Sequence, residues 1–216
     1  WLFKLPLTEE VENCISQVLD AAVVEGYLTP MAATEGPAHS AGFLGFLATH
    51  PLPLTKDCLA VDLGTGGGVP GLILAALTPC RWIFVDRGNR RCQFLTWAVR
   101  ELSLEGRVEV KEADAVDFAH GPQRGQAKLV TARSFASPAS TAECGGPLLA
   151  RGGYLVVSEP PDNVLRWPEE ELKQLGLAPL TQWHNGRAGY QALTSLDKAE
   201  KRFPRRFSRQ TGDPLF

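Results

Sequence analysis

Three carboxylates, a glycine loop and an arginine recur along this chain at intervals that could hold a charged small molecule. Residues 60–71 read AVDLGTGGGVPG. An apolar run carries Asp62, and five glycines then fall among the eight residues from Gly64 to Gly71. Glycine admits positive φ and has no side chain to keep a ligand off the backbone, so the loop is read as one that something approaches closely. The next apolar run, Ile83-Phe84-Val85, ends in Asp86. A carboxylate there can accept hydrogen bonds from both hydroxyls of a ribose and would repel a 2′-phosphate. Glu112-Ala113-Asp114-Ala115 follows a third run, and Arg133 opens the segment Arg133-Ser134-Phe135-Ala136-Ser137 after a fourth. Arginine donors suit a carboxylate or the O6 edge of a guanine.

Spacing separates the ligands such a loop could take. A dinucleotide fingerprint needs G-x-G-x-x-G. Counted from Gly64, the last position is Val69; counted from Gly66 it is Gly71, with Pro70 before it. A phosphate-binding P-loop needs Gly-Lys-Ser/Thr, and no lysine is near. Asp62-x-Gly64-x-Gly66-x-Gly68 remains.

The elements that must position these residues alternate. Short apolar runs at 58–63, 82–85, 108–110, 128–132 and 153–157 read as strands. Helical patterns at 69–77, 89–102, 138–149 and 168–175 fall between or after them, and 180–184 and 190–195 read as a late pair of strands that could form an antiparallel edge. Alternation of this kind predicts an α/β fold, a doubly wound, mostly parallel sheet covered on both faces. Ahead of it, residues 8–25 read as a helix, with Thr8 as cap, acidic residues in the first turn and Val11, Ile15, Val18, Leu19 and Ala22 at helical spacing. Residues 26–57 are rich in Gly, Pro, Ala and His and read as one short helix between irregular stretches. The division expected is an N-terminal helical extension at 1–57, a catalytic-type domain at 58–197 and a basic tail at 198–216.

Composition sets the bounds. With 216 residues, 44% hydrophobic and 21% charged, the chain can bury a sizeable core. No apolar run is long enough for a transmembrane helix. The opening Trp1–Pro6 has neither a Met nor a signal-like apolar stretch, so trimming at the N-terminus is expected. Five scattered cysteines without a C-x-x-C pair, and only four histidines, argue against a metal site and for a reducing cytoplasm. Net charge is −2, so attraction to a polyanion must come from a local patch. The densest is the tail, where Lys198, Lys201, Arg202, Arg205, Arg206 and Arg209 face Glu200 alone and Phe203 and Phe207 interleave the arginines. Basic and aromatic residues together can hold phosphates and stack on bases.

Asp62-x-Gly64-x-Gly66-x-Gly68 resembles motif I of the S-adenosylmethionine-dependent methyltransferases. More closely, DLGTGGGVPGLILA, FVDRGNRRCQFLTWAVRELSL, TARSFASPA and the tail RFPRR…DPLF resemble the bacterial small-subunit (16S) ribosomal RNA guanine-N7 methyltransferases, the glucose-inhibited division protein B family. The resemblance covers about residues 58–160, and 202–215 more loosely. Before motif I the family usually has an Asn-Leu-Thr segment, of which Tyr27-Leu28-Thr29 is a faint echo, and a His-Leu-Leu-Asp-Ser segment that is not recognisable here; in the tail Asp213 stands where the family usually has Lys. The resemblance implies a Rossmann-like fold and S-adenosyl-L-methionine as cofactor. Asp62, Gly64, Thr65, Gly66, Gly68, Asp86, Asp114 and Ala115 would bind it, Arg133 would orient the cofactor or the target base, and Arg205 and Arg206 would engage ribosomal RNA or the small subunit. No metal or membrane is implied.

Chemistry agrees with an N7 target. Guanine N7 carries a lone pair and no proton, so its methylation needs alignment rather than a base. Amino-group methylation would need an Asn/Asp-Pro-Pro-aromatic motif after strand four; here that strand ends in Arg133-Ser134-Phe135, and Glu159-Pro160-Pro161 comes one strand later. Pyrimidine C5 methylation needs a thiolate, and Cys144 reads as core packing. Two rivals share the cofactor site: a small-molecule methyltransferase, and a non-catalytic RNA- or cofactor-binding relative.

Overall fold

The computed structural model describes residues 7–160 and 166–216; the opening Trp1–Pro6 and Pro161 lie outside them. Helices α1 (Glu9–Val24) and α2 (Pro30–Gly42) come first, then β1 (Leu59–Leu63), α3 (Gly71–Leu77), β2 (Arg81–Asp86), α4 (Asn89–Glu101), β3 (Val108–Glu112), α5 (Ala115–His120), β4 (Ala127–Ala132), α6 (Pro138–Gly145), β5 (Leu149–Glu159), α7 (Glu169–Lys173), β6 (Leu177–Asn185), β7 (Ala188–Ser195) and α8 (Phe207–Gly212). The seven strands form one sheet in the order β3-β2-β1-β4-β5-β7-β6. The first five are parallel; β7 is antiparallel to β5 and to β6. This is the expected doubly wound sheet with the late pair on its edge. The chain reverses direction across the sheet between β1 and β4, and the crevice at such a switch point is where open α/β sheets bind ligands.

β1 is buried at every position, as a central strand covered on both faces must be. One apolar cluster includes Leu72, Ile73, Trp82, Phe84 and Leu95 together with Ile15, Val18, Leu19, Phe43 and Phe46 from the N-terminal segment. The N-terminal helices thus share the core of one sheet face. On the other face Val61, Ile83, Val130, Leu148, Leu155 and Phe203 pack together.

Two elements differ from expectation. Where one short helix was expected in 26–57, α2 runs thirteen residues through Gly36 and Pro37, capped by the Thr29 hydroxyl, and is followed by a 3-10 turn at Gly45–Ala48. Its small residues allow close packing. A Cβ on Gly36 would come 3.2 Å from Val69, and one on Gly42 would overlap the Tyr190 ring. Helix α5, six residues long, was not anticipated because it is too short to show a period. The basic tail folds back onto the domain. Arg124 donates to the carbonyls of Ala199, Glu200 and Phe203, His120 Nε2 lies 2.8 Å from the Pro204 carbonyl, and Phe203 is fully buried. Among the described residues no helix is long and apolar enough to cross a membrane.

Candidate active site

A cavity of about 710 Å³ opens at the carboxyl ends of β1 to β4, lined among others by Gly64, Thr65, Gly66, Asp86, Asp114, Ala115 and Arg133. That volume falls in the usual range for small-molecule sites. Each wall is positioned by a local device. The glycine loop is tied back to β2, since the amides of Gly64 and Thr65 donate to the Val85 carbonyl at 2.8 and 3.3 Å. Gly64 has φ +67°, and a Cβ there would lie 2.8 Å from the Phe135 ring. Both facts require glycine, because a side chain would be strained and would push away the wall that closes the loop.

Asp86 is 5% exposed and ends β2. Its Oδ2 accepts from the Gly66 amide at 3.0 Å, and its Oδ1 accepts from the Gly88 amide at 2.8 Å and Arg91 Nε at 2.9 Å. Burial opposes its ionisation, but the hydrogen bonds from Arg91, Gly88 and Gly66 outweigh burial and hold the carboxyl below the ordinary carboxylate value. It is therefore an anion at neutral pH, and Oδ2 retains acceptor capacity beyond its single amide. Asp114 caps α5 by accepting from the Val116 amide at 2.8 Å and lines the cavity with Ala115.

Arg133 follows β4. Ser134 adopts φ +51°, the left-handed region that non-glycine residues seldom occupy. The turn there brings Arg133, Ser134 and Phe135 to one cavity wall. Arg133 makes no side-chain hydrogen bond or ion pair among the described residues. Burial lowers its pKa from the usual value, while Tyr190, Asp62 and Glu35 act the other way. A partly buried guanidinium with free donors at a cavity wall suits an anion or a purine edge.

Three expected site residues take other places. Asp62 is fully buried beneath the loop rather than on the cavity wall. Its Oδ1 accepts from Thr131 Oγ1 at 2.6 Å, and Oδ2 has no hydrogen-bond partner among the described residues. Burial pushes its pKa up to about 7 against Thr131, Thr65 and the Gly71 amide, which favour the ionised form, and the Arg133 charge. Gly68 also lies off the wall, where a Cβ would overlap Leu72 of α3. Arg205 is not free for RNA. It grips the fully buried Glu143 through its backbone amide at 3.2 Å, Nε at 3.0 Å and Nη2 at 2.5 Å. Arg206 remains exposed and without an ion pair among the described residues.

Sequence reasoning missed other wall residues. Tyr27, Leu28, Thr29 and Ala32 cover the cavity from the α1–α2 link, and a Cβ on Gly67 would strike Leu28 at 2.6 Å. The family-like Tyr27-Leu28-Thr29 was the available signal. Phe135, Phe207, Arg87 and Arg91 also line the cavity. Cys144 is fully buried and lies 3.9 Å from Gln210 Oε1, with burial pushing its thiol up to about 12. It is a packing group.

A doubly wound sheet with a glycine loop after β1 and a carboxylate after β2, both on one cavity, defines the Rossmann-like fold of the S-adenosylmethionine-dependent methyltransferase type. Solved structures agree on the fold. A Corynebacterium glutamicum protein superposes with TM-score 0.56 at 17% identity, covering 87% of this chain and 92% of that one. Geranyl diphosphate methyltransferase in complex with S-adenosylmethionine superposes with TM-score 0.52 at 16% identity, covering 72% and 85%. The sequence places the chain more narrowly. Residues 48–170 match the model of the family described as rRNA small subunit methyltransferase G. The ribosomal RNA small subunit methyltransferase G of Carboxydothermus hydrogenoformans is 30% identical over 164 residues, 73% of this chain and 69% of that protein. Its counterpart from Streptococcus equi subsp. zooepidemicus is 32% identical over 178 residues, 79% and 71%. The chain belongs to the rRNA small subunit methyltransferase G family.

Proposed function

We propose that this protein transfers the methyl group of S-adenosyl-L-methionine to N7 of a guanine in small-subunit ribosomal RNA. The observation that carries this reading is the pairing, on one cavity, of a buried carboxylate, Asp86, with a guanidinium, Arg133, that has no ion pair or side-chain hydrogen bond among the described residues, in a chain of this family.

The residues fit the cofactor. Gly64, Gly66 and Gly67 leave the loop backbone open to the cavity, Asp86 would offer an acceptor to the ribose hydroxyls, and Asp114 with Ala115 would bound the adenine end. When bound, S-adenosylmethionine supplies an electrophilic methyl on a sulfonium. The chain's own work is binding and alignment. Arg133 would donate to the cofactor carboxylate or to guanine O6, Phe135 packs against the loop at Gly64, and the α1–α2 link would shield the reacting atoms from water. N7 has no proton to lose, so the site needs no general base. The buried Cys144 takes no part, as the absence of a covalent step at N7 requires. The exposed Arg206 sits beside the cavity residue Phe207 and would meet phosphate. A cytoplasmic site of action goes with an RNA substrate of this kind.

Incubation with isotopically labelled S-adenosylmethionine and undermethylated small-subunit particles, then mapping of the labelled nucleotide, tests the reading. Label on N7 of a single guanine is expected. Label on an amino group, on a pyrimidine or on small molecules alone would overturn it.

A further inference from the structure

Phe207 is a large aromatic side chain left 38% exposed, and it lines the cavity from the tail side. Neither Phe207 nor Phe135, the other phenylalanine on that wall, has an aromatic ring partner among the described residues. An exposed ring on a cavity wall calls for an explanation, because the tail is held in place at several points. Arg205, two residues before it, is locked onto the buried Glu143. Gln210, three residues after it, is 1% exposed and donates to the Arg205 carbonyl at 2.7 Å while lying 3.7 Å from the Cys144 sulfur. These contacts fix α8 on both sides of Phe207 without engaging the ring. The Pro-Arg-Arg-Phe run is thus divided: one arginine anchors, one is exposed, and the phenylalanine faces the site.

We infer that Phe207 is a stacking platform for a purine held in the cavity, a positioning role that rests on the methyl-transfer reading above. An aromatic face suits a nucleobase because every base has a π-face, and an anchored ring spends little conformational freedom on binding. The cavity must hold two purines in turn or together, the adenine of the cofactor and the target guanine. Both present the same flat surface, and the experiment separates them.

Phe207→Leu keeps the apolar volume and removes the π-face; Phe207→Tyr keeps both. Three quantities are measured for each variant and for the parent: calorimetric affinity for S-adenosylhomocysteine, the Michaelis constant and kcat on undermethylated small-subunit particles, and the melting temperature. The melting temperature should change little, since the ring lies outside the core. If adenine stacks there, Phe207→Leu weakens S-adenosylhomocysteine binding about tenfold. If guanine stacks there, that affinity stays and kcat/KM for particles falls about tenfold instead. In either case Phe207→Tyr restores at least most of the loss. A leucine variant equal to the parent in both readouts overturns the inference, and so does a tyrosine variant as impaired as the leucine one. Should the parent itself label no RNA, the substrate reading fails, whereas the calorimetric arm still decides the adenine platform.

Discussion

Asp62 and Asp86 stand near the carboxyl ends of neighbouring parallel strands, within reach of one glycine loop, yet their carboxyl pKa values are shifted in opposite directions. Asp86 accepts from two backbone amides and an arginine, which together hold it ionised. Asp62 has no exposed surface, and complete burial outweighs Thr131, Thr65 and the Gly71 amide and raises its pKa to about 7. The balance of burial against hydrogen bonding, not the type of residue or its position on the strand, decides how firmly each aspartate is held as an anion. Asp62 instead ties β1 to β4 through Thr131 and sits below Arg133, so it shapes the site from behind.

The largest effect on cofactor binding should come from Asp86. Asp86→Ala removes the acceptor and leaves the Gly66 and Gly88 amides unpaired, so affinity for S-adenosylmethionine should fall by about 1–3 kcal/mol, the scale of hydrogen bonds to an ionised group. Calorimetry measures it, and unchanged affinity would break the comparison.

Asp62 should act on stability instead. Its raised pKa means that the folded state binds the proton more tightly than the unfolded chain does. Parental stability therefore loses a contribution as pH rises from about 4 to about 7. Asp62→Asn removes that titration. The variant's melting temperature relative to the parent should climb over this interval and level off above it, a relative gain of up to roughly 4 kcal/mol at the top. A difference that does not vary with pH would show that Asp62 stays ionised in the fold. His39 titrates with the opposite sign. Burial, with the Arg133 charge, lowers it to about 4, so the parent also loses stability as pH falls from about 6.5 toward 4. That contribution is common to both proteins and cancels in the difference.

The smallest effect belongs to Arg91, whose side chain is 40% exposed where it pairs with Asp86. The arginine end of this pair is solvated and the Gly66 and Gly88 amides still hold Asp86 when it is removed, so Arg91→Ala should change cofactor affinity by no more than about threefold. A loss equal to that of Asp86→Ala would mean that the arginine, rather than the carboxylate, contacts the ligand.

The legible part of this site is the part built from local sequence. The glycine loop, Asp86, Asp114 and Arg133 could be found because each follows an apolar run, and a strand end at the switch point is a fixed place in a doubly wound fold. Asp62 belonged to the same motif, but only the packing of Thr131 and α3 shows that it lies behind the loop. The tail misled for a related reason. A run of arginines reads as a solvated cationic patch, whereas Arg205 is neutralised by a glutamate 62 positions earlier in the chain. The length of α2, which follows the cover formed by Tyr27 and Leu28, is not legible locally because it rests on tertiary contact at Gly36 and Gly42, residues that local propensity counts against a helix.

The central claim is that this cavity holds S-adenosylmethionine with its ribose on Asp86. The direct measurement is a two-by-two calorimetric cycle of S-adenosylhomocysteine and its 2′,3′-dideoxy analogue against the parent and Asp86→Ala. The account predicts that removing the hydroxyls weakens parental binding about tenfold or more and leaves the variant's binding almost unchanged, because the lost partner is the same. Equal losses in parent and variant would place the ribose elsewhere and contradict it.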